Sequence, residues 1–381
     1  MHTFSKVERE RYHRHFILPN FSEEGQRKLK AAKVLVVGSG GLGSPVLQYL
    51  AAAGVGTLGI VDFDEVEVSN LQRQVLFGLE SVGKPKVEEA KKRIESLNPH
   101  IELITYHTRL TSANALDIIQ GFDIVADGTD NFATRYLVND ACVLLDKVNV
   151  YASIFQFSGQ VSVFHYTYPD GSKGPNYRDL FPTPPPAGSV PTCAEGGVLG
   201  VLPGIMGSMQ ALEVIKVITG VGEPLAGRLY MFDALSFSGQ TLKVFPDPEN
   251  PLTGDTPTQT GLIDYVQFCG APHEEQSLTS VPEMSVQAFQ QLQKERKTYQ
   301  LIDVREPEEF AESNIGGELI PVQTLGDALE RIRRDCMVVV HCRSGVRSKQ
   351  AVRQLLLAGF SEVYSLEGGI LAYLKETIAP S

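Results

Sequence analysis

The stretch Val34-Leu-Val-Val-Gly38-Ser-Gly40-Gly41-Leu-Gly43 limits the possible folds of this chain more than any other. An apolar run, the spacing G-x-G-x-x-G and an uncharged segment from Ser44 to Ala53 predict a buried strand, a tight glycine turn and a helix. Glycines let the backbone turn sharply and approach a polyphosphate, while free N–H groups and the positive end of the helix dipole face the anion. Taken alone, such a loop serves a nicotinamide dehydrogenase equally well, and glycine turns also occur with no ligand. The second strand, Thr57 to Val61, runs into Asp62-Phe-Asp64, where a dinucleotide fold sets an acid beside a ribose hydroxyl. Further on come Asn70, Arg73, Gly83-Lys84-Pro85-Lys86 and Asp127-Gly-Thr-Asp130-Asn131. Two cations and an additional acid suit a triphosphate with a metal better than a hydride carrier.

Apolar strands alternate with amphipathic helices from Lys33 to Ile154, which predicts βαβ winding and a mainly parallel sheet with its ligand at the C-terminal strand ends. Lys86 to Leu97 reads as a helix stopped by Asn98-Pro99. Pro203 to Thr219 reads as an apolar helix, and Arg228 to Ser236 with Gln240 to Phe245 as a closing hairpin. Residues 246–281 are rich in proline, threonine and glycine, the composition of a linker. The expected division is therefore 1–245, a 246–281 linker, and 282–381.

Bulk properties narrow the class further. A chain of 381 residues, 43% hydrophobic and 21% charged, is expected to form two or three soluble globular domains. A formal charge of -11 argues against nucleic acid as a partner. No apolar run is long enough to span a bilayer and Met1 to His15 lacks an apolar signal core, so a cytoplasmic enzyme with no membrane partner is expected. Five cysteines, at 142, 193, 269, 336 and 342, are odd in number and scattered, unlike a secreted disulfide framework.

The run Asp62-x-Asp64-x-Val66-x-x-Ser69-Asn70-Leu71-x-Arg73-Gln74 after the glycine loop, with Lys84, Lys86 and the Asp130-Asn131 pair downstream, resembles the ThiF/MoeB adenylyltransferases, relatives of ubiquitin-activating enzymes. The resemblance spans residues 5–245 and implies a Rossmann-like adenylation domain using ATP and Mg²⁺. In that frame Gly38, Gly40, Gly41 and Gly43 hold phosphates, and Asp62 and Asp64 lie near the ribose. Asn70, Arg73 and Lys86 neutralise the triphosphate, with Asp130 and Asn131 beside it and Asp130 on the metal. The resemblance also implies that Arg14 reaches the nucleotide of a neighbouring subunit, hence a homodimer. It places a mobile-loop cysteine that handles the acyl or persulfide intermediate at Cys193. Family members commonly bind structural zinc through two C-x-x-C pairs. The corresponding positions here are Asn176, Asp179, Asn250 and Thr253, so no structural zinc is expected.

A second αβ pattern starts at Ser285. Helix is expected over Ser285–Lys297, Thr324–Arg333 and Ser348–Leu357, and strand over Leu301–Arg305 and Met337–His341. The last strand ends in Cys342-Arg-Ser-Gly-Val-Arg347-Ser348. A cysteine at a strand end, with loop N–H groups, a helix dipole and Arg347 around it, is built to hold an anionic sulfur. With Asp303-Val-Arg305 and Leu366-Glu-Gly-Gly369, residues 282–381 resemble a rhodanese domain. The C-x-x-x-x-R loop also resembles phosphatase loops, which carry one more residue. Asp303 and Arg305 are expected to brace the loop, and Cys142 and Cys336 to be core residues.

Together, the two resemblances imply one chemical sequence. A ubiquitin-like sulfur carrier ending in Gly-Gly is adenylated, and sulfur from a persulfide on Cys342, supplied by thiosulfate or a cysteine desulfurase, converts it to a thiocarboxylate. Two alternatives stand beside this: an adenylyltransferase whose rhodanese domain is dispensable, and a non-catalytic carrier-docking scaffold.

Overall fold

The computed structural model describes residues 3–185, 196–269, 281–295 and 297–378. The chain divides into two compact units, Met1–Ala271 and Pro272–Ser381.

The first unit is built on eight strands: β1 Lys33–Val37, β2 Thr57–Asp62, β3 Glu102–His107, β4 Ile124–Asp127, β5 Val148–Phe155, β6 Ser158–Phe164, β7 Arg228–Asp233 and β8 Ser238–Lys243. Their order is β3-β2-β1-β4-β5-β6-β7-β8. Strands β3 to β5 pair in parallel and β5 to β8 antiparallel. Val34–Val37 of β1 are buried because helices cover both faces of the parallel half, which explains a continuous apolar run instead of alternation. Successive strands are added on opposite sides of β1, with Val34 facing Leu58 of β2 on one side and Ile124 of β4 on the other. Such a reversal opens a crevice at the C-terminal strand ends.

The helix Gly43–Ala53 follows β1 and stops at Gly54, whose φ of 83° suits a left-handed C-cap. Gly43 is obligatory for a packing reason: a Cβ there would lie 1.9 Å from the Gly38 carbonyl oxygen. On the same face of the sheet and packed against Gly43–Ala53, the helix Leu202–Thr219 buries Gln210, whose Nε2 donates to the carbonyls of Asp127 and Val150 at 2.8 Å each. No described helix is both long and apolar enough to cross a membrane.

At Asn176, Asp179, Asn250 and Thr253, the positions that the resemblance matches to zinc thiolates, the side chains hydrogen-bond one another. Asn176 Nδ2 donates to Thr253 Oγ1 at 2.9 Å, and Asn250 Nδ2 donates to Asp179 Oδ1 at 2.7 Å. Asp179 also accepts from the backbone N–H of Asn176 and of Asp247. Two strand-distant loops are thereby pinned together by neutral and charge-assisted bonds, with Asn176 and Asn250 both 1% exposed. Among the described residues no group of three or more His, Cys, Asp and Glu is placed to hold a metal.

Linker composition describes residues 246–281 only in part. Asp247 to Phe268 packs on the first unit, with Tyr265 4% exposed and its hydroxyl donating to Asp140 Oδ2 at 2.8 Å. Asp140 is fully buried and also accepts from Arg178 Nη2 at 2.7 Å and Gln259 Nε2 at 2.8 Å. A buried ion pair thus sits where the segment docks.

The second unit has a five-stranded parallel sheet of β9 Glu283–Met284, β10 Tyr299–Asp303, β11 Glu318–Leu319, β12 Met337–His341 and β13 Val363–Leu366, in the order β11-β10-β12-β13-β9. Helix Val286–Lys294 is capped by Ser285, and Val346–Leu357 follows β12. The helix expected over 324–333 is instead two 3₁₀ turns, Val322–Thr324 and Gly326–Arg331. Gly326 weakens an α-helical start, and short 3₁₀ turns are the usual substitute in a connection this brief.

Candidate active sites

The crevice of the first unit is a cleft of about 610 Å³ lined by Gly38, Gly40, Gly41, Asp62, Asp64, Arg73, Lys86, Asp130 and Asn131 among others. The glycine turn is held by Asp62: Ser39 N and Oγ both donate to its Oδ2 at 2.8 Å, and Asp64 N donates to Oδ1 at 3.0 Å. Each carboxylate oxygen accepts two hydrogen bonds, so Oδ1 retains capacity for a hydroxyl of a ligand. Lys86 opens the helix Lys86–Leu97, is 5% exposed, and points its Nζ to Asp64 Oδ2 at 3.0 Å. Arg73 is half-buried, and its Nη1 donates to the Ser69 carbonyl at 3.2 Å.

Other expected residues stand differently. Gly43 and Asn70 are not among the lining residues. Asn70 is 8% exposed and its Oδ1 accepts from Glu67 N at 3.2 Å, closing its own 3₁₀ turn. Asn131 lines the cleft but its Oδ1 caps the helix Phe132–Leu144 by accepting from Thr134 N at 2.9 Å. Asp130 is an exposed carboxylate at the cleft wall. Its neighbour Asp127 is buried, tied to Thr129, and burial raises its carboxyl above the usual range. Arg14 is exposed on the short helix His13–Phe16 and does not line the cleft. Cys193 lies outside the described residues.

Two lining residues that were given no role from sequence have unpaired buried atoms: Arg135 Nε and Gln74 Oε1 find no partner among the described residues. Arg135 stands one helical turn after the cap Asn131, a spacing that offered a signal. Leu110, Leu262, Ile263 and Val266 also line the cleft. Nothing in their local sequence marks them.

In the second unit Cys342 is 1% exposed at the end of β12. Its Sγ accepts from Gly345 N at 3.2 Å and lies 3.6 Å from Ser348 Oγ, which itself donates to the Gly345 carbonyl at 3.0 Å. Gly345 has a φ of 96°, the conformation that turns its N–H inward to the sulfur. Arg347, in the first turn of the following helix, is clamped on both oxygens of Glu309 at 2.6 and 2.8 Å. That pairing holds the Glu309 carboxyl down at about 2. Asp303 and Arg305 form a buried pair, with Arg305 Nη2 reaching Asp303 Oδ2 at 2.6 Å and the Ser313 carbonyl at 2.7 Å. His341, fully buried below Cys342, has its pKa pushed down by burial. Elsewhere burial raises the Cys142 thiol and pushes the half-buried Cys269 up to about 11, which disfavours the thiolate at both.

A cleft with a glycine turn at a strand-order reversal and a buried cysteine loop on a second, parallel sheet mark a two-unit α/β enzyme. The chain belongs to the ThiF family, whose model matches residues 12–252, and a rhodanese-like domain follows at residues 285–376. It is 46% identical over 376 residues to a probable adenylyltransferase/sulfurtransferase, MoeZ, of Mycobacterium tuberculosis, covering 98% of this chain and 94% of that one. It is 41% identical to the adenylyltransferase and sulfurtransferase MOCS3-1 of Zea mays, over 96% of this chain and 81% of the relative. A sulfur carrier protein adenylyltransferase of Thermus thermophilus is 56% identical, over 70% of this chain and 98% of its own length. The crystal structure of E. coli MccB shares the fold, with a TM-score of 0.58 at 24% identity, over 68% of this chain and 76% of that one.

Proposed function

We propose that this chain adenylates the C-terminal carboxylate of a ubiquitin-like sulfur carrier ending in Gly-Gly and then installs sulfur on it. A carboxylate oxygen of the carrier attacks the α-phosphorus of ATP, and pyrophosphate leaves. Lys86 and Arg73 stabilise the negative charge that develops there, while the N–H groups around Gly40 and Gly41 hold phosphate oxygens. Asp130 offers a hard oxygen ligand at the cleft wall, which fits Mg²⁺; bound there, the ion neutralises phosphate charge. Asp64 orients Lys86, and Asp62 keeps the glycine turn in place while accepting from a ribose hydroxyl.

The product is a mixed anhydride, a far better acyl donor than the carboxylate. The terminal sulfur of a Cys342 persulfide attacks its carbonyl carbon, AMP leaves, and carrier and Cys342 are joined as an acyl disulfide. A thiol, in this reading Cys193, then attacks the Cys342 sulfur and expels the carrier thiocarboxylate, leaving a disulfide that an external thiol reductant resets. Thiosulfate or a cysteine desulfurase supplies the persulfide. Arg14 acts from a second subunit of a homodimer.

The observation that carries this reading is the pairing, on one chain, of the cationic cleft around Lys86 and the Cys342 cradle. Incubation of Gly-Gly carriers from the same genome with the protein, Mg-ATP and thiosulfate, followed by intact mass measurement, tests it. Exchange of one carrier oxygen for sulfur is expected. Carrier-dependent pyrophosphate exchange with no sulfur incorporated leaves an adenylyltransferase with a dispensable second unit; absence of both leaves a docking scaffold.

A further inference from the structure

We infer that Leu262, Ile263 and Val266 form the wall of the cleft against which the nucleotide base packs, which makes the segment after the sheet a working part of the nucleotide site. This rests on the reading of the cleft as an ATP site and says which residues hold the base.

The cleft has two kinds of lining. Gly38, Gly40, Gly41, Arg73 and Lys86 supply N–H groups and positive charge, which suit phosphates. Leu110, Leu137, Leu262, Ile263 and Val266 supply carbon, which suits a flat heteroaromatic ring. Asp62, the ribose-side acid at the end of β2, lies in the same cleft. A nucleotide with its phosphates on the glycine turn and its ribose at Asp62 therefore has an apolar surface left for its base.

The segment is fixed to both elements that flank this apolar part. Ser112 Oγ, in the connection after β3, donates to the Ile263 carbonyl at 2.6 Å. On the helix after β4, Asp140 accepts from the Tyr265 hydroxyl at 2.8 Å, and the Tyr136 ring meets Phe268 edge-on with centroids 5.2 Å apart. Asp140 is itself neutralised by Arg178, so Tyr265 is tethered to a buried ion pair instead of a mobile surface charge. Tyr265 is buried, whereas Leu262, Ile263 and Val266 are only half-buried. Apolar side chains held rigidly at a cleft wall with surface still uncovered are what a ring can stack against and bury.

Hydrogen–deuterium exchange on the full chain, with ATP and separately with inorganic tripolyphosphate, tests the assignment. ATP is expected to slow exchange at both the Gly38–Gly41 turn and residues 262–266; tripolyphosphate, which has no base, is expected to slow only the turn. In titration calorimetry Leu262→Ala and Val266→Ala should each weaken ATP binding about threefold to tenfold, the scale of one lost apolar contact, and leave tripolyphosphate affinity unchanged. Gln267→Ala, exposed on the same segment and not lining the cleft, should bind both ligands as the parent does. Protection of the turn but not of 262–266 by ATP overturns the assignment and leaves the ATP reading standing. Equal loss of both ligands in Leu262→Ala and Val266→Ala also overturns it. A parent protein that binds no ATP overturns the ATP reading itself.

Discussion

Strand β1 in the first unit and β12 in the second each lie between parallel neighbours and run into a loop that opens a helix, Gly43–Ala53 and Val346–Leu357. Each loop bears a glycine at positive φ, Gly38 at 86° and Gly345 at 96°. Each site also has a cation already paired with a carboxylate, Lys86 with Asp64 and Arg347 with Glu309. The difference lies in what the loop itself contributes. In the proposed reaction the glycine turn offers only backbone to a diffusing polyanion, and its cations arrive from elsewhere in the chain. In the same proposal the cysteine loop tethers its anion covalently, and the N–H donor, the hydroxyl and the cation all fall within six residues of Cys342. A site for a free ligand is assembled from a whole domain; a site for a bound sulfur fits in one loop.

If the two sites are chemically separate, removing the tethered sulfur gives the largest effect. Cys342→Ser should cut thiosulfate-to-cyanide sulfur transfer by about three orders of magnitude or more. Carrier-dependent pyrophosphate exchange should be unchanged. A parallel fall in exchange would break the separation.

Next in size is Lys86→Ala, expected to lower adenylation about 10²- to 10³-fold, the effect of deleting one preorganised charge-stabilising donor. Sulfur transfer to cyanide, which needs no ATP, should stay at the parent rate. Pyrophosphate exchange and thiocyanate formation on one preparation check both halves.

The dispersed character of the first site predicts that damage far from the glycine turn still matters. Arg178→Met leaves the Asp140 charge buried without its partner and should destabilise the protein by about 3 kcal/mol or more, measured by urea unfolding. It should also loosen Tyr265 and with it the base side of the cleft. Wild-type stability in this variant would mean that Tyr265 and Gln259 alone satisfy Asp140.

How far each site can be read from sequence follows the same division. The Cys342 loop, its helix and the Asp303–Arg305 brace are local, and their spacing is visible in the chain. The glycine turn and the charges at 62, 73 and 86 are likewise marked by residue type. The segment 262–266 is not, because its partners Ser112 and Asp140 are 151 and 125 residues away and its proline-rich surroundings read as spacer. The Asn176–Asp179–Asn250–Thr253 network shows in sequence only as missing thiolates. That short polar side chains satisfy one another there depends on two loops meeting, which no local pattern encodes. Asn131 shows the converse: a motif position whose side chain is engaged as a helix cap.

The smallest expected effect sharpens the comparison at the two carboxylate-paired cations. Arg347 holds Glu309 at about 2 against an ordinary 4.5. A depressed carboxylate contributes its stabilisation fully above the unfolded value and loses it as pH falls through the folded one. The pair should therefore stabilise the protein fully above pH 4.5 and lose that contribution as pH falls from 4.5 towards 2. With side chains 30% and 28% exposed, solvent screening limits the contribution to about 1 kcal/mol. Glu309→Gln should lower stability by that amount at pH 7 and flatten this part of the acid dependence, as followed by urea unfolding at stepped pH. Because the variant also frees Arg347 beside Cys342, KM for anionic thiosulfate should shift more than kcat. Stability profiles that stay parallel between pH 4.5 and 2 would show that the cation is held by the loop backbone and not by its carboxylate. The cysteine site would then be even more self-contained than the glycine site.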